Sequence, residues 1–398
     1  MSTAFAPVQP VPGADPVVVL HSVSRWLPQT CTWLYTQVRH LPEYFESHVA
    51  CEFVQNLDQF DVPRIHCFDE HRARFFVERG MRRLRLRSHM GSVFQTSRRI
   101  RAGILHSHFG NQGWASARQA KAAGLKHVVT YYGLDVNFLP RSDHRWYARY
   151  REMFGLVDLV LCEGPFMAQA IRNLGCPADK VRVHHLGVDV SRIPFRPRVP
   201  LANEPLRVLI SAAFREKKGI PTALEALALM QKDIPLEITI IGDAPADARG
   251  QHEKRRILDT LARTGLGGRT RLLGYLPYGT LMAEAERHHL FLSPSQTARD
   301  GDTEGGAPVS IIEMAASGMP VVSTRHCDIP EVIVSGTTGF LADEEDAPQL
   351  ARHMEWLYRH PRQWPEMLAA GRRRIETEFS AAIQGQRLAE IYDRVLAG

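Results

Sequence analysis

Short apolar runs alternate with stretches of helical periodicity along the whole chain. In the first half the runs are "VVVLH" 17–21, "HVACEFV" 48–54, "RIHCF" 64–68, "ILHSH" 104–108, "HVVTYY" 127–132, "DLVLC" 158–162 and "VRVHHL" 181–186. In the second half they are "LRVLISA" 206–212, "LEITIIG" 236–242, "RLLG" 271–274, "LFLS" 290–293, "PVVST" 320–324 and "GFLA" 339–342. Short apolar runs separated by helical segments predict parallel sheets covered by helices. Between the halves lies "RIPFRPRVPLANEP", 192–205, where four prolines exclude both helix and sheet. The expected organisation is α/β. It has a disordered tail over 1–15, a first doubly wound domain over 16–192, a linker over 193–205 and a second domain over 206–378. A final helix, 379–398, lies too far from the last strand to be needed there and is expected to cross back to the first domain. Two such domains are expected to face each other across a cleft, with ligands beyond the carboxyl ends of the strands.

Composition narrows the class. Of 398 residues, 44% are hydrophobic and 23% charged, the balance of a soluble globular protein. No apolar run reaches the roughly 18 residues of a membrane helix, and the N-terminus lacks a secretion signal. The six cysteines form no CxxC pair, which fits a reducing compartment and argues against a cysteine-based zinc site. A cytoplasmic protein is expected.

The net charge is +6, and part of the excess is local. Between Arg72 and Arg101, arginines are interleaved with Phe75, Phe76, Val77, Leu84 and Leu86. This is either a solvated helix face or a surface for anionic lipid at the inner membrane face or for a phosphorylated acceptor. No recognition motif for nucleic acid accompanies it.

The stretch "TEGGAPVSIIEMAASGMPVVST", 303–324, carries the most chemistry. Pro308 predicts the first helical position and Gly318 the stop. Gly305, Gly306 and Ala307 then sit at a helix mouth, where small residues and free amides favour an anion. Glu313 lies inside the helix, and helical side chains tilt back toward the N-terminus. Its carboxylate suits a ribose diol better than a phosphate; the alternative is a buried structural network. A helix dipole contributes about 0.3–2 kcal/mol, against the roughly 8 kcal/mol of micromolar binding. Cations must therefore help. Arg215, Lys217 and Lys218 follow the run 206–212 at a strand-to-helix turn, where they can clamp a diphosphate. Gly242 and Asp243 occupy the next such turn, where they can shape a base pocket.

Together these residues resemble the glycosyltransferase family 4 pattern, retaining enzymes of the GT-B fold. The resemblance lies in "EGGAPVSIIEMAASGMPVVSTRHCDIPEVI", "REKKGI", "IIGDAP", "RLLGYLP", "HSHFG" and "HHLGVD", in the family's order and roughly its spacing. Bacterial exopolysaccharide transferases, such as those of colanic acid assembly, are most similar in flavour. The resemblance implies two Rossmann-like domains and transfer of a sugar from a UDP- or GDP-sugar to a glycan, lipid-linked or small-molecule acceptor. It implies no cofactor and no metal, because cations and helix amides take the leaving-group charge. Glu313 would hold the ribose and Lys218 the diphosphate, while Glu304, Gly305, Gly306, Ala307, Pro308 and Val309 would hold the sugar and phosphate. Glu304, Tyr132 and His108 fall at the candidate catalytic positions.

The chain departs from the family at three places. Eight residues, not seven, separate Glu304 from Glu313, so Glu304 fills the first glutamate's role only if a glycine bulges out. The usual arginine is Ala213, with Arg215 nearby. The family's histidine is Tyr132, still a hydrogen-bond donor but a poorer proton shuttle near neutral pH. Two further patterns mimic metal sites. "DGD", Asp300 to Asp302, resembles a carboxylate pair from a different transferase fold. His106 and His108 share one face of a strand end, but a metal needs a third ligand that the sequence does not place. Glu163 and Gly164 begin a helix that either lines the acceptor side or simply favours the helix start. Two alternatives stay open: a non-catalytic nucleotide-sugar-binding subunit, and a GT-B epimerase or phosphorylase.

Overall fold

The computed structural model describes residues 15–28, 32–69, 72–84, 86, 88–201 and 204–398. The expected N-terminal tail lies outside them up to residue 14, as do Arg85 and Arg87 of the basic stretch. The chain forms two compact units, Met1–Gly187 with Ala381–Gly398, and Val188–Ser380.

The first unit is built on seven parallel strands: β1 (Val17–Trp26), β2 (Phe45–Val54), β3 (Ile65–Cys67), β4 (Ile104–His108), β5 (Lys126–Thr130), β6 (Leu159–Cys162) and β7 (Val181–Val183). Their order is β3-β2-β1-β4-β5-β6-β7. The strands β4 and β6 are buried throughout, because helices cover the sheet. The final helix, Ala381–Ala397, packs here, with Leu388, Ala389 and Tyr392 in a core shared with Val19, Phe45 and Ile104. Gly385 permits its approach: a Cβ there would stand 1.9 Å from the His40 carbonyl oxygen.

The second unit has six parallel strands: β8 (Leu206–Ser211), β9 (Leu236–Ile241), β10 (Thr270–Leu272), β11 (Leu290–Ser293), β12 (Val321–Thr324) and β13 (Phe340–Ala342), ordered β10-β9-β8-β11-β12-β13. Helix Ile220–Met230 is apolar nearly all round and sits in the main core with Leu350, Met354 and Leu357 of helix Ala347–Arg359. Burying each such leucine is worth about 1.5–3 kcal/mol. The proline-rich segment is docked on this unit rather than free. Arg196 N–H donates to the Ser317 carbonyl at 2.9 Å, and Arg198 reaches the His288 carbonyl and the Ser317 hydroxyl.

Each sheet reverses direction once, between β1 and β4 and between β8 and β11. At such a switch point the loops leaving the two central strands diverge and open a crevice at the carboxyl edge.

Candidate active site

In the second unit the turn after β8 meets the loop after β11. Gly219 makes this possible. Its φ of 61° is left-handed, and a Cβ there would lie 1.9 Å from the Pro294 carbonyl oxygen. Gln296 N–H then donates to the Lys217 carbonyl at 2.9 Å, fastening the two loops.

Lys218 and Glu304 come together here, with Nζ 2.8 Å from the carboxylate. Ser295 Oγ donates to the same carboxylate at 2.7 Å. Burial pushes the Glu304 carboxyl upward, but Lys218 and Lys217 outweigh it and hold it at about 2, so the group is ionised at neutral pH. Its backbone N–H donates to His326 Nε2 at 3.1 Å, and the other ring nitrogen of His326 meets Glu344 at 2.6 Å. With Nε2 accepting, Nδ1 carries the proton. Gly305 follows at φ 80°, in the left-handed region.

The other cations are also engaged. Lys217 Nζ contacts Asp302 at 3.1 Å and the Thr303 carbonyl at 2.8 Å. Arg249 lies 2.7 Å from Asp300 and 3.0 Å from Asp302. The Asp300–Asp302 pair thus anchors basic side chains. Arg215 forks onto Asp247 at 2.7 and 2.5 Å, and Asp247 caps helix Ala248–Thr264 through Gly250 N–H. Lys254 holds Asp243 at 2.6 Å. Gly242 is fixed beside Asp243 by a φ of 130°, with a Cβ position 1.9 Å from the Ala212 carbonyl oxygen.

Helix Val309–Ala316 starts one residue later than its proline suggests. Pro308, at ψ 131°, is extended and precedes the first turn. Glu313 is buried in this helix, and among the described residues no cation pairs with it. Burial raises its carboxyl to about 7, against the pull of the Tyr278 hydroxyl that donates to it. At neutral pH Glu304 is therefore ionised, whereas Glu313 is close to half-protonated, although they belong to one segment.

In the first unit the site residues are of another kind. His108 Nδ1 lies 2.9 Å from the Tyr132 hydroxyl, and the Tyr132 ring is 4.2 Å from that of Trp33. Asp135 supports both loops: its carboxylate accepts the Tyr132 N–H at 2.9 Å and also the Gly110 N–H. Burial lifts Asp135 to about 7, against those same amides. Phe109, between His108 and Gly110, has a φ of 75°, a strained conformation for a residue with a side chain.

Several contributors are invisible to a local reading. Tyr278, Ser295, His326 and Arg249 reach the site only through the packing of β8, β9, β11 and β12. Asp135 had a local signal, an acid three residues beyond Tyr132 in "TYYGLD".

Comparison with known proteins agrees with this picture. Residues 191–374 match the model for glycosyl transferases group 1, and residues 14–192 match that for Glycosyltransferase Family 4. The amylovoran biosynthesis glycosyltransferase AmsK of Erwinia amylovora is 32% identical over 298 residues, 74% of this chain and 70% of the relative. WcaL of Escherichia coli K12, named for colanic acid biosynthesis, is 28% identical over 75% of this chain and 72% of its own length. Among solved structures, Anabaena Alr3699/HepE with UDP-glucose superposes with a TM-score of 0.74 at 16% identity, covering 95% of this chain and 99% of that one. A glycosyltransferase from Rickettsia africae ESF-5 gives 0.74 at 18% identity over 96% and 99%.

Proposed function

This chain belongs to the family 4 glycosyltransferases of the GT-B fold, and on that premise we propose that it transfers a sugar, with retention, from a UDP- or GDP-sugar to a glycan or lipid-linked acceptor in exopolysaccharide assembly. The relatives named for amylovoran and colanic acid biosynthesis support the product class. The neighbour crystallised with UDP-glucose supports the donor class. The observation that carries the reading is the part-buried Lys218–Glu304 contact at the switch point of the second unit.

The roles follow from charge. Lys218, Lys217 and Arg215 each begin paired with a carboxylate. A diphosphate binds by exchange, taking a cation's attention from its acid. The leaving phosphate is stabilised by these cations and by the amides around Gly305, Gly306 and Ala307, with no metal in the step. Glu304 is too acidic to donate a proton. It orients Lys218, accepts hydrogen bonds from the sugar hydroxyls, and faces the positive charge that develops at the anomeric carbon. Glu313 receives the ribose diol in its ionised form. Gly242 and Asp243 border the base. Tyr132 and His108 serve the acceptor side. The acceptor hydroxyl attacks on the leaving group's face, and the departing phosphate takes its proton.

The test is a panel of UDP- and GDP-sugars with lipid-linked acceptors, without added divalent metal, and NMR of the product anomer. An α-donor should give an α-linked product. Nucleotide binding without turnover would replace this reading with a binding subunit, and donor isomerisation without acceptor would replace it with an epimerase.

Helix Arg72–Arg83 supports attachment to an anionic membrane. Phe76, Val77, Leu84 and Leu86 are each more than 60% exposed, beside the exposed Arg83. Arg82 is held on Glu52, while Arg79, itself exposed, lies over the rings of Phe53 and Phe75. Apolar insertion should therefore outweigh charge. Liposome flotation should fall more for Phe76→Ser with Leu84→Ser than for Arg83→Gln; no flotation of the wild type at low salt would remove the proposal.

A further inference from the structure

At the switch point of the first unit, β1 and β4 place His21 and His106 side by side in register. His108 lies two residues on, on the same face. All three are sealed from solvent. Each can offer one ring nitrogen such that the three nitrogens lie within 4.8 Å of one another. His21 Nδ1 and His108 Nε2 are already 3.1 Å apart. That is close to the roughly 3.3 Å expected between two nitrogens bound tetrahedrally to one zinc ion at 2.0–2.1 Å.

The surroundings suit coordination. His108 Nδ1 is held by the Tyr132 hydroxyl at 2.9 Å, and His106 Nδ1 by the Tyr392 hydroxyl at 2.6 Å. Metal-binding histidines are typically oriented in this way, through the nitrogen that does not ligate. His106 Nε2, the nitrogen left to ligate, is hydrogen-bonded to Thr130 Oγ1 at 2.6 Å, a contact that a bound cation would displace. His21 is the exception. Its Nε2 is buried and has no hydrogen-bond partner among the described residues. A neutral imidazole has one donor and one acceptor.

We propose that His21, His106 and His108 bind one first-row divalent transition cation, zinc foremost, which ties β1 to β4 and fixes the ring that supports Tyr132. Three neutral imidazoles select zinc, cobalt or nickel over magnesium or calcium. The residues belong to the first unit and are independent of the Lys218–Glu304 pair, so donor binding does not require the cation.

The experiment uses untagged full-length protein from zinc-supplemented cells, dialysed against metal-free buffer. Mass spectrometry of the metal content should find about one zinc per chain, with X-ray absorption showing imidazole nitrogen neighbours. His21→Gln and His108→Gln should each lose at least about nine-tenths of that zinc while keeping the wild-type circular dichroism spectrum. Wild type without stoichiometric zinc, or both variants retaining it, overturns the site. Should the variants fail to fold, histidine-ring nitrogen NMR of metal-stripped wild type decides: zinc must shift three rings together, and an unchanged spectrum overturns the proposal.

Discussion

The two switch points are the same construction with opposite chemistry. Between β1 and β4 the side chains are neutral and aromatic: three buried histidines, Tyr132 and Trp33. Between β8 and β11 they are ionic, with Lys217, Lys218, Asp302 and Glu304 in close pairs. The sheet topology fixes where a crevice opens, and the residues at its lip decide what can happen there. A neutral lip suits hydroxyl-bearing acceptors. A lip of paired ions suits exchange with a phosphate, since each pair carries a cation ready to be claimed.

The comparison breaks most visibly at Lys218. Lys218→Ala leaves Glu304 buried without its nearest cation, a loss worth about 3–5 kcal/mol. Transfer should fall about a thousandfold and UDP affinity with it, measured by initial rates and titration calorimetry; near-wild-type affinity would remove Lys218 from the diphosphate. Glu304→Gln separates binding from turnover. Transfer should drop about a hundredfold, yet UDP should bind at least as tightly, because Lys218 is released from its partner. Weakened UDP binding in this variant would contradict the exchange model.

Tyr132→Phe tests the neutral side. It removes one hydrogen bond to His108, about 1 kcal/mol. Transfer should fall about tenfold through KM for the acceptor, with UDP affinity unchanged.

The smallest effect concerns Glu313. Its carboxyl is raised to about 7 in the folded protein, against about 4.3 when unfolded. The folded state therefore holds the proton more tightly, and stability is lost as pH rises from about 4.3 through 7. Glu313→Gln, which stays neutral, should melt a few degrees above wild type at pH 8 and no higher at pH 5. Glu304 has the opposite sign: held at about 2, it stabilises above its unfolded value, and that stability is lost as pH falls through 2.

Much of this was legible in the sequence, and the remainder was hidden for identifiable reasons. Buried parallel strands are apolar on both faces, so "LEITII" and "VVST" declare themselves. The glycine pair and Glu313 are read from one helix. Pairings between loops are not local. Glu304 meets Lys218 across 86 residues, and His21 meets His108 across 87, distances at which no periodicity speaks. The proline-rich segment shows the converse. Its prolines correctly exclude regular structure, but exclusion from helix and strand says nothing about docking, and Arg196 and Arg198 fasten it to the second unit.

The helix Ala381–Ala397 makes the first unit discontinuous. A ribosome therefore releases the second unit as an uninterrupted span while the first still lacks a wall. Until Tyr392 emerges, the hydrogen bond to His106 Nδ1 and the edge contact on the Phe45 ring are missing. The first unit is thus completed only after the second has been synthesised, and removing Ala381–Ala397 should expose the hydrophobic surface around Val19, Phe45 and Ile104.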